Sequence, residues 1–180
     1  INEVIYSGGD PLAANDIFLA WLTTEIAEIG HIKRLRIHTR LPVVIPARID
    51  QGFLNWATAT RLKPIVVLHI NHANEIDAEV ASAIKKLTDA GMQVLNQSVL
   101  LREINDSAVT LAELSERLFD CGVSPYYLHL CDPVAGAQHF DLDDSVAKQI
   151  YAELQCLLPG FLVPKLVREI PNRQSKTLII

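Results

Sequence analysis

The sequence predicts an α/β fold, a partial (βα)6-type barrel with parallel strands and outer helices. Short β-branched runs alternate with longer amphipathic stretches, and successive runs are separated by about the length of one βα unit. Nearly every run also ends in polar residues, as the strands of a barrel do. A doubly wound sheet is the alternative, but it concentrates polar groups at one switch point. A closed eight-unit barrel needs ~250 residues, so a chain of 180 residues predicts a partial one.

The predicted strands are continuous in apolar character, which indicates burial on both faces, as in a parallel sheet. Pro164 makes the last of them a poor central strand, because proline cannot donate to the ladder. The six runs are 3–7, 35–39, 65–70, 92–96, 126–130 and 161–167.

Four predicted helices show an apolar face followed by a glycine, the residue typical of a left-handed helix stop. A shorter helix is predicted over 51–60, with Asp50 as its cap. The first helix is predicted to begin at Asn15 or Asp16. The faces and their glycines are Phe18, Trp21, Leu22, Ile26 and Ile29 before Gly30; Val80, Ile84 and Leu87 before Gly91; Leu111, Leu114 and Leu118 before Gly122; and Val146, Ile150, Leu154 and Leu157 before Gly160.

The composition is that of one globular domain spanning residues 1–180, with 49% hydrophobic and 21% charged residues. A net charge of −5 argues against broad nucleic-acid binding, which requires basic surfaces. No apolar run approaches the roughly 20 residues of a membrane helix, and the first ten residues do not resemble a signal peptide. The three cysteines are widely spaced, so a reduced, cytoplasmic compartment is expected.

The first two strand ends carry groups that could bind a ligand. After the first run, Ser7-Gly8-Gly9-Asp10 would let backbone N–H groups approach a bound group closely. The alternative is a plain turn in which Asp10 is a local cap. After the second run, Arg40 could hold a phosphate or carboxylate, and a surface ion pair is the other interpretation.

The third and fourth strand ends carry neutral hydrogen-bonding side chains. His69 is better read as a histidine that hydrogen-bonds a ligand than as a zinc ligand, because no carboxylate stands at a fitting offset. Gln97, between Asn96 and Ser98, suits a sugar, adenine or phosphate. The alternative for these three residues is that they satisfy the backbone of nearby loops.

Two charged residues, Asp132 and Lys176, could take part in substrate binding or catalysis. Asp132 follows the fifth run and could bind a substrate ammonium or act as a base, but it could equally be a turn residue before proline. Lys176 could form a Schiff base with a carbonyl cofactor. From the residues alone, an exposed lysine near the chain end is the default interpretation.

Six segments taken together resemble the lysine 2,3-aminomutase family of radical S-adenosylmethionine (SAM) enzymes, and within it the branch that β-lysylates elongation factor P. LNQSVLLR and PYYLHLCD are the most specific of them. The segments are SGGDPL at 7–12, RIHTRLPVVIPARI at 36–49, HINHANE at 69–75, LNQSVLLREIND at 95–106, PYYLHLCDPVAGAQHF at 125–140 and SKT at 175–177.

The resemblance implies a radical-SAM TIM-like barrel with SAM, pyridoxal 5′-phosphate (PLP) and a [4Fe-4S] cluster. It further implies an isomerase that converts L-lysine to β-lysine, with elongation factor P and its lysyl-ligase as indirect partners. It leaves a homo-oligomer open, and it implies neither a membrane nor a nucleic-acid partner.

The resemblance also assigns roles to individual residues. Lys176, in a PLP-lysine segment near 169–177, matches the lysine that binds PLP covalently. Asp132 and Glu169 match the acids that grip the distal ammonium of lysine. The aminomutases proper usually have Asp in the second place, and the β-lysylation branch resembles this chain in having Glu. The positions matching the SAM and PLP pocket are Ser7, Gly8, Gly9, Asp10, Arg40, His69 and Gln97.

Two features depart from the family pattern. The residues before Lys176 read PNRQS instead of a glycine-rich loop, and the cluster motif CxxxCxxC is absent from these 180 residues. The expectation is therefore a C-terminal portion of a longer barrel, without metal ligands and inactive alone. The alternative is a truncated or decayed barrel that binds a ligand or partner without turnover. A cluster-free Schiff-base enzyme is a weaker third option.

Overall fold

The computed structural model describes residues 1–132, 136, 138–171, 173 and 175–179, and strands alternate with helices as predicted. The strands are β1 Glu3–Tyr6, β2 Arg34–Thr39, β3 Lys63–His69, β4 Gln93–Val99, β5 Ser124–His129, β6 Lys165–Arg168 and β7 Thr177–Leu178. The helices are α1 Asp16–Ala27, α2 Leu41–Val44, α3 Gln51–Thr58, α4 Ala78–Asp89, α5 Ala108–Asp120 and α6 Asp144–Leu157. The α/β prediction is confirmed.

Strand order in the sheet is chain order, β1 to β7. The pairs β1–β2, β2–β3 and β5–β6 are parallel, whereas β7 runs antiparallel to β6. Parallel neighbours require a crossover connection, and the helices between the strands provide it. The chain divides into two compact units. Unit 1 is Ile1–His69, Ile76–Leu95 and Cys121–Val123, and unit 2 is Ile70–Glu75, Asn96–Asp120 and Ser124–Ile180.

Helix α1, in unit 1, begins where predicted but buries a different face. The Asn15 side chain accepts a hydrogen bond from the Phe18 N–H and caps the helix. Phe18, Trp21 and Ile29 are nevertheless exposed, so their predicted place on the buried face is wrong. Of the predicted face Ile26 is buried, together with Leu19, Thr23 and Ala27. The hydroxyl of Thr23 lies 3.0 Å from that of Tyr6 on β1. This polar contact belongs to the buried face, which a search for apolar spacing alone cannot find.

The glycine stops are confirmed at two of their four positions. Gly91 and Gly122 have φ values of +77° and +81°, in the left-handed region. Gly30 and Gly160 do not have positive φ, so the prediction is wrong there. Helix α6 ends instead at an extended Leu158, directly before a proline.

The last predicted strand, 161–167, is the clearest error of the element prediction. Gly160–Leu162 forms a 3-10 turn, and β6 covers only Lys165–Arg168. Pro164 lies immediately before the strand, where its missing N–H costs no ladder hydrogen bond. Strand β7 was not predicted.

The core of unit 2 lies between strands β5 and β6 and helices α5 and α6. Leu128 and Leu166 are buried there against residues from both helices, including Leu111, Ile150 and Leu154. Among the described residues, no helix combines the length and the apolar character needed to cross a bilayer. The single-domain prediction for 1–180 stays a prediction.

Candidate functional site

The turn after β1 has an open backbone. Gly8 and Gly9 have φ values of +90° and +57°, a region where residues with a side chain are strained. No atom lies within 4 Å of the place where a Cβ would stand at either glycine. Ser7, Gly8 and Gly9 are all exposed. Consecutive N–H groups in such a turn can approach an anionic or polar ligand closely.

Asp10, the next residue, ties this turn to the end of β2. Its carboxylate accepts hydrogen bonds from the backbone N–H groups of Leu12, Arg40 and Leu41, at 3.0, 2.8 and 3.0 Å. It also accepts from the buried Thr39 hydroxyl at 2.7 Å. Asp10 therefore caps its own turn, as the local-cap interpretation predicts, and it also fixes the loop that follows β2.

We expect Asp10→Ala to lower the free energy of unfolding by about 1–3 kcal/mol, because it leaves backbone donors of two loops unsatisfied. Urea denaturation of the variant, compared with Thr39→Val, measures this. The Thr39 variant removes one hydroxyl donor and should cost less. Equal losses in the two variants would contradict the central place given to the carboxylate.

His69, the last residue of β3, lies near Asp10 and Arg40 in unit 1. Burial lowers the pKa of its imidazole, and the charge of Arg40 lowers it further, while the charge of Asp10 raises it. The net pKa is lowered, so the ring is neutral at pH 7 and offers one donor and one acceptor. His38 on β2 packs edge-on against it, with ring centroids 6.0 Å apart. The sequence analysis gave His38 no role.

Arg40 precedes helix α2 and is exposed. Its backbone N–H donates to the Asp10 carboxylate at 2.8 Å, which fixes the position of its main chain. The structure thus brings the SGGD turn, Arg40 and His69 together in unit 1.

Gln97 lies in β4, half-buried, between the buried Asn96 and Ser98. Strand alternation places Gln97 on the opposite face from these two neighbours. The Asn96 amide is committed to the backbone: its oxygen accepts from Ile70 N–H at 2.9 Å and its nitrogen donates to Ile70 C=O at 3.0 Å. For Asn96 the backbone interpretation is therefore correct.

Asn105 makes a second backbone connection in unit 2, which the sequence analysis missed. It is 1% exposed. Its amide nitrogen donates to the carbonyls of Asn71 and Val99 at 2.8 and 2.9 Å, and its oxygen accepts from Leu101 N–H at 2.7 Å. The loop after β3 and the end of β4 are joined through this one side chain.

Glu169 and Lys176 form an ion pair at the β6–β7 hairpin. Arg168 pairs with Thr177 in the antiparallel register, so the next residue on each side brings Glu169 opposite Lys176. The hydrogen bond and the charge of Lys176 lower the pKa of the Glu169 carboxyl, and His129 adds to the effect. Glu169 is therefore a carboxylate at neutral pH.

Asp132 and Glu169 both line one cavity of about 800 Å³. The other described residues that line this cavity are Cys131, Asp141, Arg168, Ile170 and Pro171. An adjoining cavity of about 290 Å³ is lined by Glu169, Ile170, Arg173, Ser175 and Lys176. The two cavities share Glu169, so Asp132, Glu169 and Lys176 belong to one site in unit 2. Residues 133–135 and 137 of the PYYLHLCDPVAGAQHF segment, and Asn172 and Gln174 of the segment near 169–177, lie outside the described residues.

No family model matches the chain. The L-lysine 2,3-aminomutase of Escherichia coli K12 is 55% identical over 177 residues, which are 98% of this chain and 52% of that protein. The chain belongs to the lysine 2,3-aminomutase family. The Haemophilus influenzae enzyme of the same name is also 55% identical, over 99% of this chain and 53% of its own length. That of Clostridium subterminale is 36% identical, over 100% and 43%.

The chain spans about half the length of the curated aminomutase relatives it matches. Solved structures with the same fold include a radical SAM methyltransferase from Sphaerobacter thermophilus, with a TM-score of 0.64 at 16% identity over 93% of this chain and 51% of that one. A domain of pyruvate-formate lyase-activating enzyme from Bacteroides vulgatus gives 0.62 at 14%, over 91% and 97%. The fold expected of a lysine 2,3-aminomutase family member, that of radical SAM enzymes, is confirmed.

The described part of this aminomutase family chain does not fit an iron–sulfur cluster. None of its His, Cys, Asp and Glu residues form a group of three that could hold a metal ion. Cys121, Cys131 and Cys156 are free thiols. Burial and the charges of Asp141 and Asp132 raise the pKa of Cys131, which disfavours the thiolate that iron requires.

Proposed function

We propose that the natural protein containing this chain is a radical SAM, PLP-dependent lysine 2,3-aminomutase, an isomerase that converts L-lysine to β-lysine. The observation that carries the proposal is the joined cavity site in which one lysine, Lys176, lies beside two acids, Asp132 and Glu169. The 55% identity to named aminomutases supports it. The function of the chain alone is not part of the proposal, because the chain spans about half of those relatives.

Lys176 is the residue proposed to bind PLP covalently, and the cavity around it fits a phosphate-bearing aldehyde. Its side chain is 27% exposed and borders the cavity of about 290 Å³. Arg173 and Ser175 line the same cavity, and a guanidinium and a hydroxyl are groups that bind phosphate. When bound, PLP stabilises charge or an unpaired electron next to the migrating amine.

The distal ammonium of L-lysine is proposed to bind Asp132 and Glu169. Both acids border the larger cavity, and the lowered pKa of Glu169 keeps it charged at neutral pH. Two carboxylates fix a flexible four-carbon chain at its far end, so its reacting carbons take one position. Their role is orientation.

The SAM pocket is proposed to include Ser7, Gly8, Gly9 and His69 of unit 1. Gln97 is proposed as a further SAM contact on the family resemblance alone. The open backbone at the two glycines fits a ligand that approaches the main chain closely. The neutral His69 ring can donate and accept hydrogen bonds there. SAM, when bound and reduced, supplies the group that removes a hydrogen atom from the substrate.

The two charged residues near this pocket have separate proposed tasks. Asp10 holds the turn and the neighbouring loop in place through its four hydrogen-bonded partners. Arg40, exposed and fixed by its backbone, is proposed to face the anionic part of a cofactor.

The finer biological assignment rests on Glu169. Glutamate in place of aspartate is the feature that resembles the β-lysylation branch, so we propose that the product serves elongation factor P through its lysyl-ligase in the cytoplasm. One extra methylene group at this acid changes where the substrate chain lies. The stereochemistry of the β-lysine product is therefore part of the test.

The full-length protein, supplied with iron, sulfide, SAM, PLP and a reductant, should convert L-lysine to β-lysine, detected by chiral chromatography. Asp132→Asn should raise KM for lysine by roughly 10- to 100-fold, because a charged hydrogen-bond partner is lost. Asp143→Asn is the matched control, since this exposed residue makes no side-chain cap hydrogen bond. PLP binding without any product would favour the non-catalytic alternative, and an unchanged KM in Asp132→Asn would remove this residue from the lysine site.

A further inference from the structure

Strands β5 and β6 present two different faces in unit 2. Leu128 on β5 and Leu166 on β6 pair in register and are buried among the residues of α5 and α6. Because side chains alternate along a strand, Tyr127 and His129 point to the opposite face. Glu169 and Lys176 follow β6 and precede β7, and Lys176 reaches this face.

The ring of Tyr127 lies against Lys176. The Lys176 ammonium nitrogen is 5.6 Å from the ring centroid, within the range of a cation–π contact. The ring itself is held from two sides: Tyr126 lies 3.9 Å away between centroids, and His129 packs edge-on at 5.7 Å. The Tyr126 hydroxyl also donates to the Tyr127 hydroxyl at 3.2 Å. Tyr127 is therefore a fixed aromatic surface.

We propose that Tyr127 is a positioning residue for Lys176. Its ring face and the Glu169 carboxylate form a seat, the Tyr127–Glu169 seat, that holds the amine end of Lys176 in one place. The importance of that place for PLP rests on the function proposed above. The contacts of Lys176 with Tyr127 and Glu169 are present in this chain whether or not it binds PLP.

The Glu169 carboxylate alone would not hold the Lys176 amine in one place. The Glu169 side chain is 58% exposed, and ion pairs with such exposure hold a long side chain weakly. Lysine keeps considerable rotamer freedom. An aromatic face on a strand restricts that freedom without adding a second full charge, and it leaves the nitrogen able to react.

Trace labelling of the PLP-free full-length protein with acetic anhydride tests the seat, with modification of each lysine quantified by mass spectrometry. Tyr127→Leu should label Lys176 roughly two- to fivefold faster than the wild type, because the amine is then no longer held against the ring face. Tyr127→Phe, which keeps the ring, should restore the wild-type rate. Lys85, an exposed residue of α4 that pairs with Asp89, is the internal reference. Glu169→Gln should also accelerate labelling at Lys176 alone.

An unchanged rate in Tyr127→Leu would overturn the proposal, and so would a Tyr127→Phe variant that behaves like Tyr127→Leu. A second measurement uses the unaltered protein: ring current should move the NMR signals of the Lys176 Cε protons upfield, with Lys176→Arg identifying them. Unshifted signals would overturn the proposal even if a variant fails to fold. Since neither measurement uses SAM or lysine, their outcome is independent of whether the protein makes β-lysine.

Discussion

Replacement of Lys176 by alanine in the full-length protein should abolish covalent capture of PLP and lower β-lysine formation at least about a thousandfold. The expected loss is large because the amine is the group that fixes the cofactor, and no other described lysine borders the 290 Å³ cavity. Borohydride reduction of the PLP-loaded protein, followed by peptide mass spectrometry, identifies the labelled residue. Turnover of L-lysine measures the effect on activity.

Lys165→Ala is the matched control for this variant. Lys165 lies on β6 of the same hairpin and is exposed. It should keep both PLP labelling and turnover within about twofold of the wild type, as expected for a surface substitution. Label on a peptide other than the one containing Lys176 would contradict the assignment of the PLP lysine.

Most strands and helices could be predicted because their signals are local. The runs 35–39 and 65–70 coincide closely with β2 Arg34–Thr39 and β3 Lys63–His69. The continuous apolar character of β3 reflects burial, whereas buried and half-buried residues alternate along β2. The buried face of α1 could not be predicted from apolar spacing, because it includes Thr23, whose hydroxyl contacts that of Tyr6, 17 residues earlier. Strand β7 Thr177–Leu178 has only two residues, too few for any period to appear.

The candidate site could be proposed from the sequence as a set of residues, but not as an arrangement in space. Family resemblance named Glu169 and Lys176 separately, whereas their contact depends on the antiparallel register of β6 and β7. A seven-residue separation in sequence does not specify a hairpin. Tyr127 carried no chemical signal of its own, and only the sheet brings its ring to Lys176.

Two buried asparagines, Asn96 and Asn105, have functions that the sequence pattern does not decide. Asn96 and Asn105 are equally plausible as ligand contacts or as partners of loop backbone, since one amide can serve either purpose. In the structure both are backbone partners, because Asn96 and Asn105 are only 2% and 1% exposed and their amides hydrogen-bond main-chain atoms. They support the loops around Gln97, and a ligand contact needs no such burial.

Asn105→Ala should therefore lower the free energy of unfolding by about 2–5 kcal/mol, more than the loss expected for Asp10→Ala. The substitution leaves two carbonyls, of Asn71 and Val99, and the Leu101 N–H without their side-chain partner in a buried place. Urea denaturation measures the loss. Asn74→Ala, an exposed asparagine in the same loop region, is the control and should change stability by no more than about 0.5 kcal/mol.

The same variant also tests whether the connection serves the site. Asn105 holds the carbonyl of Val99, two residues after Gln97, while the Asn71 side chain accepts from the Val99 N–H at 2.9 Å. Loss of Asn105 should therefore increase amide hydrogen exchange at the end of β4 and in the loop 70–75 more than in α6. Uniform acceleration across unit 2 would mean that Asn105 supports the fold as a whole. Acceleration confined to those two segments would mean that an asparagine with no proposed ligand contact sets the rigidity of the strand end that carries Gln97.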